Sequence, residues 1–431
     1  MFGIGRQRIL AIGSVHLDTI AIRPETDAVL EAGKIVHAIG GSAYNVAANL
    51  ARHDHNSESH IALYTILPQY SLLTQIFDYK IGQSQIDDRF VSRCLRINEQ
   101  IVRGGGYVSI ISEDNSETRM AVIDAAMHET DIFQPDEFPQ SAKALDWAAA
   151  IVIDSDLSVH TVDHIEEHTF RAGKPLFVSL GSRSAASTSW LINDADRGAT
   201  AVAGHRQCVT DILRSLAPGT VGGLEAFLDG GSASAVDART ICQALYANHV
   251  VCSCGARGLG LLSAGDPPGH ALFVDTQDIA TKFGARRTTA GLADAGFSAF
   301  IKTCLALPDQ NKAAAVVRPL DLADPALRTT LEKSIKDYVS VVLNCEGATP
   351  GAVINFEESK KAQGRMSLFK RALDMMLAVI PVHKYIGLVI AGIVAVWAFD
   401  FVLGLDVVKW LLGDWHSSIK AIFDRMPMPK H

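Results

Sequence analysis

Residues 288 to 295, Thr-Thr-Ala-Gly-Leu-Ala-Asp-Ala, place a Gly-x-x-Asp turn immediately before a helical run that ends near Leu307. A helix N-terminus gathers unpaired backbone N–H groups and the positive end of a dipole, so it holds a phosphate well. An Asp in that first turn can take a proton from an attacking hydroxyl. The combination is phosphoryl-transfer geometry, although Gly followed by Asp at a helix start is more often an ordinary cap.

The other end of the chain supplies matching parts. Arg8 to Ile12 reads as a buried strand and runs into Gly13-Ser14-Val15-His16-Leu17-Asp18. Gly40-Gly41-Ser42-Ala43-Tyr44-Asn45 then opens a helix in which Val46, Leu50 and small alanines form the packing face. Paired glycines let the backbone approach a ligand closely. Asp18 lies beyond the carboxyl end of the first strand, where open sheets bind ligands. Tyr107 to Ser116 alternates like a hairpin arm with a polar turn, and Met120 to Asp124 is its return. Val250 to Leu262 reads as strand, glycine-rich turn and strand, with Gly255 and Gly258 in the turn.

Taken in this order, across residues 8 to 307, the segments resemble the PfkB/ribokinase family of sugar and nucleoside kinases. The resemblance implies a three-layer α/β/α sandwich with a small β lid, the lid arising near Ala21 to Val36 and Ile97 to Asp124. It implies that Asp18 binds substrate hydroxyls, that Gly40, Gly41 and Asn45 wall the sugar site, and that Asp294 is the catalytic base. Gly291, Leu292 and Ala293 would form the anion hole, and Gly255 and Gly258 would lie beside the nucleotide. ATP and Mg2+ are implied as cosubstrate and cofactor. The run from Val122 to Met127 looks most like the pseudouridine-kinase branch.

Departures from the pattern fall at the phosphate end. The family's Asn-x-x-Glu, which organises magnesium and water, is replaced by Gly204-His205-Arg206-Gln207. Gln207 can hydrogen-bond a water but brings no charge to a hard cation that prefers anionic oxygen. Ala293 stands where the anion hole usually has Gly, and Thr288 where the motif usually opens with Asp. The substrate end therefore reads as intact and the phosphate end as partly eroded. His53, Asp54, His55 and His60 follow a helix in a polar stretch and read as a solvated loop rather than a metal site.

At 431 residues, 48% of them hydrophobic, the chain has material beyond one large α/β core. Residues 1–345 are assigned to that core, with Leu331 to Asn344 expected as a closing helix and strand. Residues 346–364 read as a linker, 365–382 as an amphipathic helix, 385–405 as a transmembrane helix and 406–425 as a second amphipathic helix. The 21 residues from Tyr385 to Leu405 are almost wholly apolar, with Trp397, Trp410 and Trp415 as interfacial anchors and Asp400 as the flaw. A soluble helical bundle is the competing reading of this tail, since the 14 uncharged residues from Ile386 to Phe399 also suit a buried helix. Charge divides accordingly: net +5 from Lys360 onward and net −13 before it. An acidic body argues against nucleic acid as a partner, and a basic tail suits an anionic membrane surface. Seven cysteines, an odd number without metal spacing, fit a reducing compartment. The expected arrangement is a single C-terminal membrane anchor with the kinase-like part in the cytoplasm; the lid or the C-terminal helices would mediate any homo-oligomer.

Two functions are compatible with this reading. One is a membrane-tethered kinase that transfers phosphate from ATP to a hydroxymethyl group of a sugar or nucleoside, pseudouridine leading. The other is a catalytically impaired relative that senses a ligand or acts as a scaffold.

Overall fold

A computed structural model describes residues 7–23, 34–53, 59–94, 96–97, 100–101, 105–112, 118–124, 140–155, 157–180, 198–265, 271–283, 291–307 and 319–343. The linker, both amphipathic helices and the transmembrane helix expected after residue 345 lie outside these residues, as do Thr288 to Ala290 and Ala125 to Met127. The chain divides into two units, Met1–Ser359 and Lys360–His431, and all described residues belong to the first. Among the described residues no helix is long and apolar enough to cross a membrane.

The strand β1 (Gln7–Ile12) shows how the layers arise. Ile9 and Ala11 belong to one buried apolar cluster, Leu10 and Ile12 to another, so successive side chains feed opposite faces of the sheet. On the right of β1 in the sheet order lie β4 (Ser59–Pro68) and β5 (Asp87–Cys94). On the other side lie β10 (Ala150–Asp154), β11 (Leu176–Ser179), β12 (Ala199–His205) and β13 (Ala247–Ser253). All of these pair in parallel. Two antiparallel strands, β14 (Gly258–Ser263) and β15 (Ala271–Asp275), complete a nine-stranded sheet.

One face is covered by α1 (Ser42–Arg52), α2 (Leu72–Ile81), α9 (Leu292–Ala306) and α10 (Pro325–Leu343), whose buried residues fill the first cluster. The other is covered by α3 (Gln140–Trp147), α4 (Val159–Ala172), α5 (Arg206–Leu216), α6 (Pro218–Leu228) and α7 (Ala238–Ala244). A short α8 (Gln277–Phe283) follows β15. Helices on both faces of a mostly parallel sheet make the three layers expected.

The segments expected to build the lid form a separate four-stranded sheet. Its order is β3 (Lys34–Gly40), β2 (His16–Arg23), β8 (Gly105–Ser112) and β9 (Thr118–Asp124). His16, Asp18 and Ile20 are buried, whereas Leu17, Thr19 and Ala21 between them are only partly so; one face of β2 therefore looks inward. The two-residue strands β6 (Arg96–Ile97) and β7 (Gln100–Ile101) pair only with each other.

Two expectations are corrected. Pro325–Leu343 is a single 19-residue helix, with no closing strand among the described residues. Leu331, Ile335, Tyr338, Val339 and Val342 are buried in the first cluster at helical spacing, and burying that stripe outweighs the strand propensity of the Val-rich end. His53, expected in a solvated loop, caps α1 and stacks on Tyr338 with ring centroids 3.7 Å apart, while Lys302 donates to its carbonyl. His60 lies in β4.

Candidate active site

The carboxyl ends of the central parallel strands bring distant residues together. After β1 the chain turns at Ser14, whose N–H and hydroxyl both donate to Asp154 Oδ2, at 2.9 and 3.0 Å. Asp154 ends β10 and is fully buried. The turn delivers the chain into β2, which carries Asp18, and the hairpin returns through β3 to Gly40 and Gly41.

Those two glycines are fixed by what faces them. A Cβ on Gly40 would lie 1.9 Å from Asp18 Oδ2. Gly41 has φ 101°, and a Cβ there would lie 2.3 Å from the Ser14 carbonyl oxygen. Only glycine allows the hairpin to close on Asp18 and then start α1 at once. Asn45 Nδ2, in the first turn of α1, donates to Asp294 Oδ2 at 2.9 Å across 249 residues of sequence. Ser42 hydrogen-bonds the same carboxyl group. Neither Asp18 Oδ1 nor Asn45 Oδ1 has a hydrogen-bond partner within the protein, so both acceptors remain for a ligand.

Asp294 lies in the first turn of α9, which opens at Gly291 with φ 78° and no side-chain cap. The first intrahelical bond runs from Ala295 N–H to the Gly291 carbonyl. The N–H groups of Leu292, Ala293 and Asp294 thus precede the helical ladder and are the unsatisfied donors of a helix start. Leu292 is buried; Gly291 and Ala293 are half-buried.

Burial dominates the electrostatics. It raises the carboxyl of Asp18 to about 8, with the nearby charge of Asp294 adding to the shift. Burial also raises Asp294, to about 7, helped by the charge of Asp154 and opposed by the hydrogen bonds from Asn45 and Ser42. Tyr107, opposite Asp18 in the β2–β8 register, is shifted up chiefly by burial and also by the charge of Asp18.

The residues expected on the phosphate side form a different constellation. Gly255 lies in a short 3-10 turn after β13 and Gly258 opens β14, with φ 61° and 143°. Gln207 is exposed and its amide donates to Asp211 Oδ1 at 2.9 Å, one turn along α5. Its neighbour Arg206 grips Asp229 at 2.6 and 3.0 Å, and Arg257 donates to Asp229 at 2.9 Å. Those two guanidinium groups hold the Asp229 carboxyl well below the usual carboxylate range. The start of α5, the end of α6 and the glycine turn are thereby tied together.

Thus Asp18, Gly40, Gly41, Asn45 and Asp294 converge, whereas Gln207 is engaged within its own helix. Sequence reasoning gave no role to Asp154, Ser14, Ser42 or Tyr107. Asp154 had a readable signal: Ile151-Val152-Ile153-Asp154 is an apolar strand ending in a carboxylate, as the first strand leads to Asp18.

The sheet order, the two helical layers and the separate four-stranded sheet define a ribokinase-like fold. Solved structures that resemble it include a carbohydrate kinase from Agrobacterium tumefaciens, at 14% identity and TM-score 0.51, covering 83% of this chain and 97% of that one. Ribokinase from Giardia lamblia matches at 13% identity and TM-score 0.52, covering 83% and 99%. A fructokinase with bound ATP from Xylella fastidiosa matches at 13% identity and TM-score 0.50, covering 84% and 99%. At these identities the likeness is one of fold. No protein-family model matches the sequence, and no curated protein does.

Proposed function

We propose that this protein is a phosphotransferase that moves the terminal phosphate of ATP to a hydroxyl group of a sugar or nucleoside. The observation that carries the reading is the Asn45–Asp294 hydrogen bond at 2.9 Å, because it holds a buried carboxyl of raised pKa at an uncapped helix start, beside Asp18. Asp294 accepts the proton of the acceptor hydroxyl as that oxygen bonds to the γ-phosphorus and the bond to the ADP oxygen breaks. The free N–H groups at the start of α9 stabilise charge on the phosphoryl oxygens. Asp18 and the free Asn45 Oδ1 accept hydrogen bonds from the substrate's other hydroxyls. Pseudouridine is the leading acceptor, on the likeness of Val122 to Met127 to that branch.

Among the described residues there is no group of three or more His, Cys, Asp or Glu placed to hold a metal, and Gln207 spends its amide on Asp211. That same bond favours the second reading, a catalytically impaired ligand sensor or scaffold. In either case the apolar run from Tyr385 to Leu405 supports attachment to a membrane.

Incubating the full-length protein with ATP, magnesium and a panel of ribose, fructose and nucleosides, with product read by mass spectrometry, separates the two. Turnover that falls by roughly 10²- to 10⁴-fold in Asp294→Asn, with ligand-induced thermal stabilisation kept, is expected for the kinase. Identical background ATP consumption in both proteins would leave the sensor reading standing.

A further inference from the structure

We propose that a cavity between α1 and α2, apart from the carboxylate cleft, is a second binding site that takes a small phosphomonoester. The cavity measures about 360 Å³, within the size range of metabolite pockets. Its α1 wall is the stripe Tyr44, Ala48, Ala51 and Arg52; Lys80 of α2 and the loop 83–85 complete it. The small side chains of Ala48 and Ala51 leave the space. Tyr44 is nearly fully buried and meets Phe77 edge-on at 6.2 Å, which fixes a firm aromatic wall.

Charge selects the ligand. Arg52 at the end of α1 and Lys80 at the end of α2 both line the cavity, and none of the described lining residues is acidic. Basic residues in the last turn of a helix complement its dipole, which accounts for one cation on each helix. It does not account for both lining the same hollow. A guanidinium fork and an ammonium that line one hollow suit a phosphate group, which accepts two or more charge-assisted bonds.

The mouth of the cavity suits a hydroxylated body on that phosphate. Ser84 Oγ donates to the Ile81 carbonyl at 2.9 Å and accepts from Ile86 N–H at 3.2 Å, pinning the loop between them. Gln83 and Gln85 flank it and are exposed, so their amides can both donate to and accept from ligand hydroxyls. The site goes beyond the kinase reading and does not depend on it, because none of its lining residues belongs to the carboxylate cleft.

Calorimetric titration of the full-length protein with glycerol 3-phosphate, with glycerol as the uncharged control, tests the proposal. Saturable binding of the phosphate ester and none of glycerol is expected. Arg52→Gln, at an exposed position that folding tolerates, should weaken binding at least about ten-fold, the loss of one charge-assisted hydrogen bond. Ala48→Leu, which fills the space without changing charge, should abolish it, whereas Asp18→Asn in the cleft should leave it unchanged. Binding that survives Arg52→Gln and Ala48→Leu at wild-type strength, or equal binding of glycerol, would overturn the assignment, as would the absence of saturable binding at millimolar ester.

Discussion

Asp18 and Asp294 share a cleft in which burial penalises every negative charge, and their titration should govern both rate and stability. A general base works only when deprotonated. With Asp294 raised to about 7, turnover limited by proton abstraction should climb with pH through neutrality and level off above it, a profile measurable as kcat/KM from pH 5.5 to 9. The stability consequence has the opposite slope. Both folded-state values lie above the ordinary carboxylate value of 3.8, so below about pH 4 the two groups are protonated whether the chain is folded or not. As pH rises from there toward 8, the folded state resists ionisation that the unfolded chain accepts, and stability is lost progressively. Asp18→Asn removes the Asp18 part of that loss. Its melting temperature should therefore match wild type near pH 4 and exceed it by a few degrees at pH 8.5, a difference readable by thermal scans at the two pH values. An advantage that shrinks with rising pH would contradict the raised value.

Helix α9 packs tightly against β14 at residue 296, where a Cβ on Gly296 would lie 2.1 Å from Leu259 Cδ2. Gly296→Ala should cost about 1–3 kcal/mol by overpacking and should shift Asp294, two residues earlier, away from Asn45. Adding Leu259→Ala should recover activity, although the double variant keeps the cost of a lost core leucine; chemical denaturation and turnover on the three proteins would resolve the two effects. Elements of this kind were legible when their signal was local. The strand–turn–strand around Gly255 and Gly258, the hairpin from Tyr107 to Asp124 and the glycine-led helix at Ser42 all follow from periodicity and turn residues. Of the helix and strand expected over Leu331 to Asn344, the described residues hold only helix: Val339 and Val342 look strand-like singly, while burial of a stripe starting at Leu331 is a property of the whole helix. The strand-end position of Asp154 was legible but its partner was not, since its hydrogen bonds to Ser14 span 140 residues and exist only once β1 and β10 pair. The Gln207–Asp211 bond depended on a side-chain choice that sequence spacing permits but does not require.

On the scale of the whole molecule, the separation of Met1–Ser359 from Lys360–His431 predicts that a chain ending at Ser359 folds with its cleft complete. Its cooperative melting and its response to ATP should match those of the longer protein. If the tail is a membrane segment, this shorter chain should also lose membrane association, while carbonate washing should fail to strip the full-length protein from vesicles. Release of the full-length protein by carbonate would instead favour surface attachment or a soluble bundle. The hydrogen bond between Asn45 and Asp294 has one more implication, which concerns time. A ribosome making this chain must add a further 249 residues after Asn45 before its partner exists. Until then the first strands and α1 are present without the helix that covers them, and their apolar faces are open to solvent or to chaperones. Contacts of such long range also slow folding, because the chain between them has to be gathered first. No nascent fragment can hold the finished cleft, so any activity it supports begins only when most of the protein has been made.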